Sequence, residues 1–352
     1  MAIRSSELRT VSWKDGTVVL IDQTKLPNRL SFFRCSEVRE VALAITNMVV
    51  RGAPAIGVAA AMGLALVATR SKASDKKTLL KELDAAAILL RATRPTAVNL
   101  QWGLERIIER ASSASDDVAV LKGTVIDEAV RMGEEDVEAN RRIGRFGAEL
   151  VDDGDVIMTH CNAGALATVG YGTALGVMRA AKEQGKDIQA FVLETRPALQ
   201  GSRLTAYELL RDGFHVTVLA DTTAGHVMSR KMVGKVIVGA DRILSTGHVF
   251  NKIGTYQLAV LAQKHDIPLI CAAPSSTFDL KSKLTDVEIE QRSPDEVVKV
   301  RGRRIAPKGV QVLNPAFDVT PPDLIYAIST ELGLIKPVSE ERIRRILSQT
   351  LS

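Results

Sequence analysis

Aromatic residues are scarce in this sequence: Phe, Trp and Tyr together make up 4% of 352 residues. Proteins that grip single-stranded nucleic acid stack its bases on aromatic rings, so no dedicated nucleic-acid surface is expected. Cysteine is rarer, with Cys35, Cys161 and Cys271 far apart. An odd number without a Cys-x-x-Cys pair argues against a disulfide framework and a zinc knuckle, and points to a reducing, cytoplasmic setting. The five histidines include no His-Glu-x-x-His, so no metal is expected. No Gly-x-x-x-x-Gly-Lys-Ser/Thr occurs, which removes the P-loop nucleotidases. GYGTALG (170–176) is spaced G-x-G-x-x-x-G and is expected to lie inside a helix, not at its start, so it fails as a dinucleotide loop. Glu194, closing a strand where a ribose-binding acid would stand, is all that keeps a nicotinamide reading open. The opening MAIRSSELRTVSW lacks an apolar signal core. Long apolar runs are confined to GAPAIGVAAAMGLALVAT (52–69), barely long enough to span a bilayer. It is rich in Gly and Ala and stands alone, so a buried helix is expected and no membrane association.

What is present is ordinary in bulk. Hydrophobic residues are 46% and charged residues 25%, the range of a globular protein. The length suggests about two domains. A net charge of +5 suits anionic partners, and the basic clusters are short: RGRR at 301–304, then Arg342, Arg344 and Arg345. A phosphate-bearing small molecule fits that balance. Residues 13–32 read as short strands around a Lys14-Asp15-Gly16 turn. Residues 35–121 show helix-like apolar spacing in four runs, the first with Ser36 as N-cap and, with Arg39 three residues on, no capping box. Residues 122–151 read as one or two amphipathic helices joining two halves. From 155 onward, strand-length apolar runs (VIMTH, IQAFVLET, HVTVLAD, KVIVGAD, PLICAAP) alternate with helical stretches reaching to 184 and over 200–212, 224–232 and 251–265. That alternation predicts a parallel, doubly wound sheet. The expected division is a small, mainly helical N-terminal domain with short strands over 1–121, then the linker helix and an α/β domain over 122–352.

The chemistry gathers where those strands end. In such sheets ligands sit beyond the carboxyl ends of the strands, and the five runs end at His160-Cys161-Asn162, Glu194-Thr195-Arg196, Asp221, Gly239-Ala240-Asp241 and Ala273 to Thr277. A lone cysteine is most often a small buried hydrophobe, as Cys35 and Cys271 are expected to be. Cys161 differs by following a strand and preceding an expected helix N-terminus, whose dipole favours a thiolate. Asp241 alone reads as a turn cap, but a carboxyl and a thiol on one dry rim make an acid/base pair. Asn251 reads as an N-cap, and Lys252 beside it as a cation that an anion there would balance. Arg51-Gly52-Ala53-Pro54 and Arg94-Pro95-Thr96 each set an arginine at a helix break. Gly52 lets backbone N–H groups approach an anion, and an arginine clamps one bidentately. The histidines, His160 and His226 included, are read as structural.

RGAPAIGVAAAMG (51–63), RPTAVNL (94–100), HCNAGALATVGYGTALGV (160–177), ETRPALQGSRLTAYEL (194–209), GADRI (239–243), NKIGTYQLAVLA (251–262) and NPAFDVTPPDLI (314–325) together resemble the methylthioribose-1-phosphate isomerase family of methionine salvage. The blocks follow one another in order over most of the chain. Its superfamily also holds ribose-1,5-bisphosphate isomerases and regulatory subunits of a translation-initiation exchange factor. The resemblance implies a Rossmann-like C-terminal domain, a homodimer, and aldose–ketose isomerisation of a sugar phosphate without cofactor. It places the catalytic cysteine on Cys161 and the catalytic aspartate on Asp241. Substrate contacts fall on Arg51, Gly52, Ala53, Arg94, Gln200, Asn251 and Lys252. Gln257 and Ser275 depart from the family pattern at positions that match no catalytic residue. Rival expectations are a ribose-1,5-bisphosphate or 5-deoxyribose-1-phosphate isomerase, and a regulatory subunit lacking the acid/base pair.

Overall fold

The structure, a computed structural model, describes residues 8–300 and 302–348. The first seven residues of the N-terminal stretch and Arg301 of the basic run lie outside them. The chain forms two compact units, one of residues up to Arg142 together with Ala163–Gly176, the other of Ile143–Asn162 and residues from Val177 on. The break thus falls inside a long helix rather than at 121, and a short later segment returns to the first unit.

The first unit begins with the strands β1 (Val11–Lys14), β2 (Thr17–Ile21) and β3 (Phe32–Cys35), an antiparallel sheet. Asp15 and Gly16 turn β1 into β2, both with positive φ, as a tight hairpin requires. Helices α1 (Val38–Thr46), α2 (Ala53–Arg70), α3 (Lys76–Arg91), α4 (Val98–Ser112) and α5 (Val118–Ala148) follow. The N-cap of α1 is Glu37, not Ser36, and Glu40 accepts from the backbone N–H groups of Ser36 and Glu37. A capping box is therefore present one residue out of the expected register.

Helix α2 is the apolar run. Among the described residues it alone is long and apolar enough to cross a membrane, and 78% of it is buried in the protein. It is a core helix, packed from all sides rather than along one stripe. Its small residues let backbones meet: a Cβ on Gly57 would stand 2.6 Å from the carbonyl oxygen of Asn99, and one on Gly103 equally close to that of Gly57. Helices α2 and α4 thus cross at backbone contact, as a core short of aromatics and rich in Ala and Gly allows.

The second unit holds β4 (Val156–Thr159), α6 (Ala174–Glu183, entered from the first unit), β5 (Gln189–Leu193), α7 (Ala206–Arg211), β6 (His215–Leu219), α8 (Ala224–Ser229), β7 (Lys235–Val238), β8 (Arg242–Leu244), β9 (Val249–Lys252), α9 (Thr255–Lys264) and β10 (Leu269–Ala272). Then come β11 (Phe278–Asp279), α10 (Asp295–Val298), β12 (Lys299–Val300), β13 (Arg303–Arg304), β14 (Phe317–Thr320), β15 (Ala327–Thr330), β16 (Gly333–Ile335) and α11 (Glu340–Leu347). The seven-stranded main sheet has the order β16-β15-β10-β7-β4-β5-β6. It is parallel except for β16 on the edge. The five expected strands lie side by side from β10 to the β6 edge, and β15 and β16 extend the sheet beyond β10. A second sheet, β11-β8-β9-β14, grows from the end of β7.

Two local expectations are corrected. After β4 no helix starts at once: a single 3-10 turn, Ala165–Ala167, intervenes and α6 begins only at Ala174. Residues 170–172 therefore lie in loop, not inside a helix, and Cys161 has no helix dipole behind it. Asn251 is no N-cap but the third residue of β9, and α9 is capped by Gly254 at φ 100°.

Candidate active site

The strand order puts a switch point between β4 and β7. From β4 the chain winds outward through β5 and β6, then returns to β7 on the other side of β4. Loops at such a point diverge and leave a crevice at the carboxyl ends. The residues that follow those two strands are His160-Cys161 and Gly239-Ala240-Asp241. Since Met158 pairs with Val236 in parallel register, the thiol and carboxyl side chains are carried by adjacent strand ends of one sheet.

Cys161 is half-buried, whereas Cys35 and Cys271 are fully buried and burial pushes both thiols up to about 12. Its backbone is left-handed, at φ 62°, and Thr195 and Leu199 beyond β5 are so too, at 64° and 59°. Each such non-glycine residue costs about 1 kcal/mol or more, and all three lie on the carboxyl side of the sheet. The Cys161 N–H donates to the Thr195 hydroxyl oxygen at 2.8 Å, and the Thr205 hydroxyl donates to the Cys161 carbonyl at 2.6 Å. Asp221, after β6, accepts from the N–H groups of Thr195 and Arg196 at 2.8 and 2.7 Å.

Asp241 stands at the joint of the two sheets. Its N–H donates to the Phe250 carbonyl at 2.9 Å, and the pairing of Arg242 with Phe250 sets Asp241 opposite Asn251. The hairpin β8–β9 is thus the device that brings Asn251 and Lys252 to Asp241. The Asn251 amide donates to Thr255 at 3.0 Å; Lys252 Nζ donates to the Ala316 carbonyl at 3.0 Å and lies 4.7 Å from the centre of the Phe317 ring. Gln200 precedes a π-helical turn, Gly201–Thr205, and its Oε1 is buried without a hydrogen-bond partner. An unmet buried acceptor is rare in proteins, and here it belongs to an expected substrate contact.

The remaining expected contacts belong to the first unit. Gly52 caps α2 at φ 97°, and a Cβ there would lie 2.4 Å from the Cα and carbonyl oxygen of Ala167. Only glycine fits, so Gly52 and Ala53 present bare backbone N–H groups at the start of an 18-residue helix, where anions bind. Arg51 Nε donates to Gln23 Oε1 at 3.1 Å, and the buried Gln23 amide donates to the Leu166 carbonyl at 2.7 Å. Arg94 lies half-buried in the connection between α3 and α4. Among the described residues no group of His, Cys, Asp and Glu is arranged to hold a metal ion.

Sequence reasoning places Thr195 and Asp221 at strand ends without their partners, and does not find Gln23, Thr205 or Asp318, because each acts through a partner remote in the chain. Asp318 accepts from the N–H groups of Gly254 and Tyr256 at 2.7 and 3.1 Å, yet burial pushes its carboxyl up to about 6. His160 is buried and hydrogen-bonded: its Nε2–H donates to the Ile253 carbonyl at 2.8 Å, and burial lowers its basicity. Both line a cavity of about 400 Å³ with Arg196, Asp221 and Tyr256; Cys161 and Asp241 are not in its lining.

Comparison with known proteins adds names to this geometry. Residues 49–337 match the Initiation factor 2 subunit family. A methylthioribose-1-phosphate isomerase from Desulforudis audaxviator is 52% identical over 334 residues, 95% of this chain and 96% of that protein. The crystal structure of 5-methylthioribose 1-phosphate isomerase from Pyrococcus horikoshii superposes with a TM-score of 0.91 at 46% identity, covering 98% of this chain and 97% of that one. A crystal structure described as translation initiation factor eIF-2B, subunit delta, from A. fulgidus gives 0.87 at 49% identity, covering 97% and 100%.

Proposed function

The chain belongs to the Initiation factor 2 subunit family, and on that premise we propose that it is an aldose–ketose isomerase converting 5-methylthioribose 1-phosphate to 5-methylthioribulose 1-phosphate in methionine salvage. The observation that carries this reading is the near end-to-end likeness, at about half identity, to proteins named for that activity. The conversion moves hydrogen within one molecule, so no redox partner enters the balance.

A phosphate on the anomeric oxygen blocks ordinary ring opening. The ring oxygen must take a proton as its bond to carbon 1 breaks, with the phosphate kept. Asp241, at the strand end where the two sheets join, supplies that proton as general acid. Hydrogen then passes from carbon 2 to carbon 1. In the proton route Cys161 handles the carbon-bound proton through an enol; in a hydride route it stabilises the charge that develops. Arg51, Arg94 and Lys252 offset the phosphate charge, with the Gly52 and Ala53 amides as donors, and Gln200 and Asn251 complete the substrate contacts. The protein acts in the cytoplasm as a homodimer.

The test is incubation of the protein with 5-methylthioribose 1-phosphate, followed by NMR for the ketose. Cys161→Ser and Asp241→Asn are each expected to lower kcat by roughly 100-fold or more, as loss of an acid/base group does. Rates near wild type would reject those two roles. With deuterium at carbon 2, washout to solvent assigns proton transfer and full retention a hydride shift. Ribose 1,5-bisphosphate, run alongside, tests the alternative substrate. A second reading, a non-catalytic subunit, draws on the likeness to the A. fulgidus protein. It has no use for an acid/base pair, and absence of turnover on either sugar would favour it.

A further inference from the structure

Two threonine hydroxyls hold the peptide of Cys161 from opposite ends. Thr195 Oγ1 accepts the Cys161 N–H at 2.8 Å, and Thr205 Oγ1 donates to the Cys161 carbonyl at 2.6 Å. Neither threonine is accessible to solvent. Each is backed by a buried network. The Thr195 hydroxyl also reaches the Leu193 carbonyl at 3.0 Å, and its N–H is held by the Asp221 carboxylate at 2.8 Å. Thr205 Oγ1 accepts from the Asn162 amide at 3.1 Å, and the same amide donates to Glu208 at 2.9 Å. Glu208 is held in turn by Arg179 at 2.8 Å, with both side chains almost wholly buried.

The grip matters because the conformation it fixes is unfavourable. A cysteine at φ 62° relaxes to the extended or right-handed region unless its surroundings over-determine it. Here both hydrogen-bonding groups of the residue are met in that geometry by side chains from another strand end and from the π-helical turn. Relaxation would leave an N–H and a carbonyl without those partners and would swing the thiol away from its direction.

We infer that Thr195 and Thr205 are positioning residues that aim the Cys161 thiol by clamping its backbone in the left-handed conformation. This rests on the catalytic role proposed for Cys161, and the experiment separates the two. Thr195→Val keeps the shape and removes the hydroxyl. It is expected to cut kcat by roughly 10- to 100-fold with KM within about threefold, the scale of a small misalignment. Thr195→Ser, which restores the oxygen, is expected within about threefold of wild type. Thr205→Val is expected to behave like Thr195→Val.

The second readout needs no substrate. In the free protein, the rate of Cys161 alkylation by iodoacetamide, followed by peptide mass spectrometry across pH, is expected to change at least about threefold in both valine variants and to return in Thr195→Ser. Cys35 and Cys271, buried in the two cores, stay unlabelled while the protein is folded. If a valine variant labels them and so proves unfolded, Thr195→Ser decides alone: wild-type alkylation and kcat support the clamp, and a loss of either by tenfold overturns it. Folded valine variants with wild-type alkylation and kcat overturn it as well. Full turnover in Cys161→Ser alongside altered alkylation in Thr195→Val would leave the clamp standing and remove the catalytic role of the thiol.

Discussion

Asp318 carries a carboxyl raised to about 6, chiefly by burial, although the N–H groups of Gly254 and Tyr256 pull the other way. The unfolded value is about 3.9, so between the two the native state binds more protons than the unfolded one. The contribution of this group is therefore fully present below about pH 4 and lost as pH rises through about 6. Asp318→Asn puts an amide NH₂ where one acceptor stood, so the variant is less stable throughout. The diagnostic is the slope: urea midpoints from pH 4 to 7 should fall with pH more steeply in wild type than in the variant. Parallel curves would show that Asp318 ionises normally. At this scale the sequence was informative about Cys161 and Asp241, because a strand end is a local signal. It put Thr195 at a strand end without its partner 34 positions away, and was silent on Thr205 and Asp318, whose meaning lies in atoms 44 and 64 positions away.

Among the elements, α2 joins a buried body to a tight backbone approach at its N-terminus. Gly52 combines φ 97° with a close approach to the Ala167 backbone, which cannot give way as a side-chain tip can. Gly52→Ala is expected to cost about 2–4 kcal/mol through a disfavoured φ and overpacking together. Urea unfolding measures it, and a change under about 0.5 kcal/mol, the size of a neutral surface substitution, would refute the contact. The apolar run predicted this helix because uninterrupted Ala, Leu and Val with a proline near the start suits a core helix. Element edges were less legible. Residues 162–173 are small and apolar enough to read as helix, yet contacts assign most of them to the first unit and α6 waits until Ala174. Asn251 looked like a cap by residue type, but pairing with Asp318 on β14 draws it into a strand.

For the whole molecule, the resemblance carries an expectation the single chain does not address, a homodimer. Sedimentation at micromolar concentration should give twice the mass of the chain, and a monomer there would withdraw the assignment. Fold class was open to sequence reasoning because alternating strand-length and helix-length apolar runs admit few arrangements, and a parallel sheet covered by helices is the standard one. Seven quoted blocks marked the family for the same reason a sentence is recognised by its words in order. Strand order was not open in that way. That β4 and β7 are neighbours follows from the chain crossing back over the sheet, a choice made by the packing of Met158, Val236 and the other residues of that core. The sequence by itself determined which chemical groups stand at strand ends and helix starts, since those depend on periodicity and turns within a few residues. Only tertiary structure decided which of those ends are adjacent, which hydroxyls grip Cys161 and which carboxyl is buried, because each depends on contacts between segments far apart in the chain.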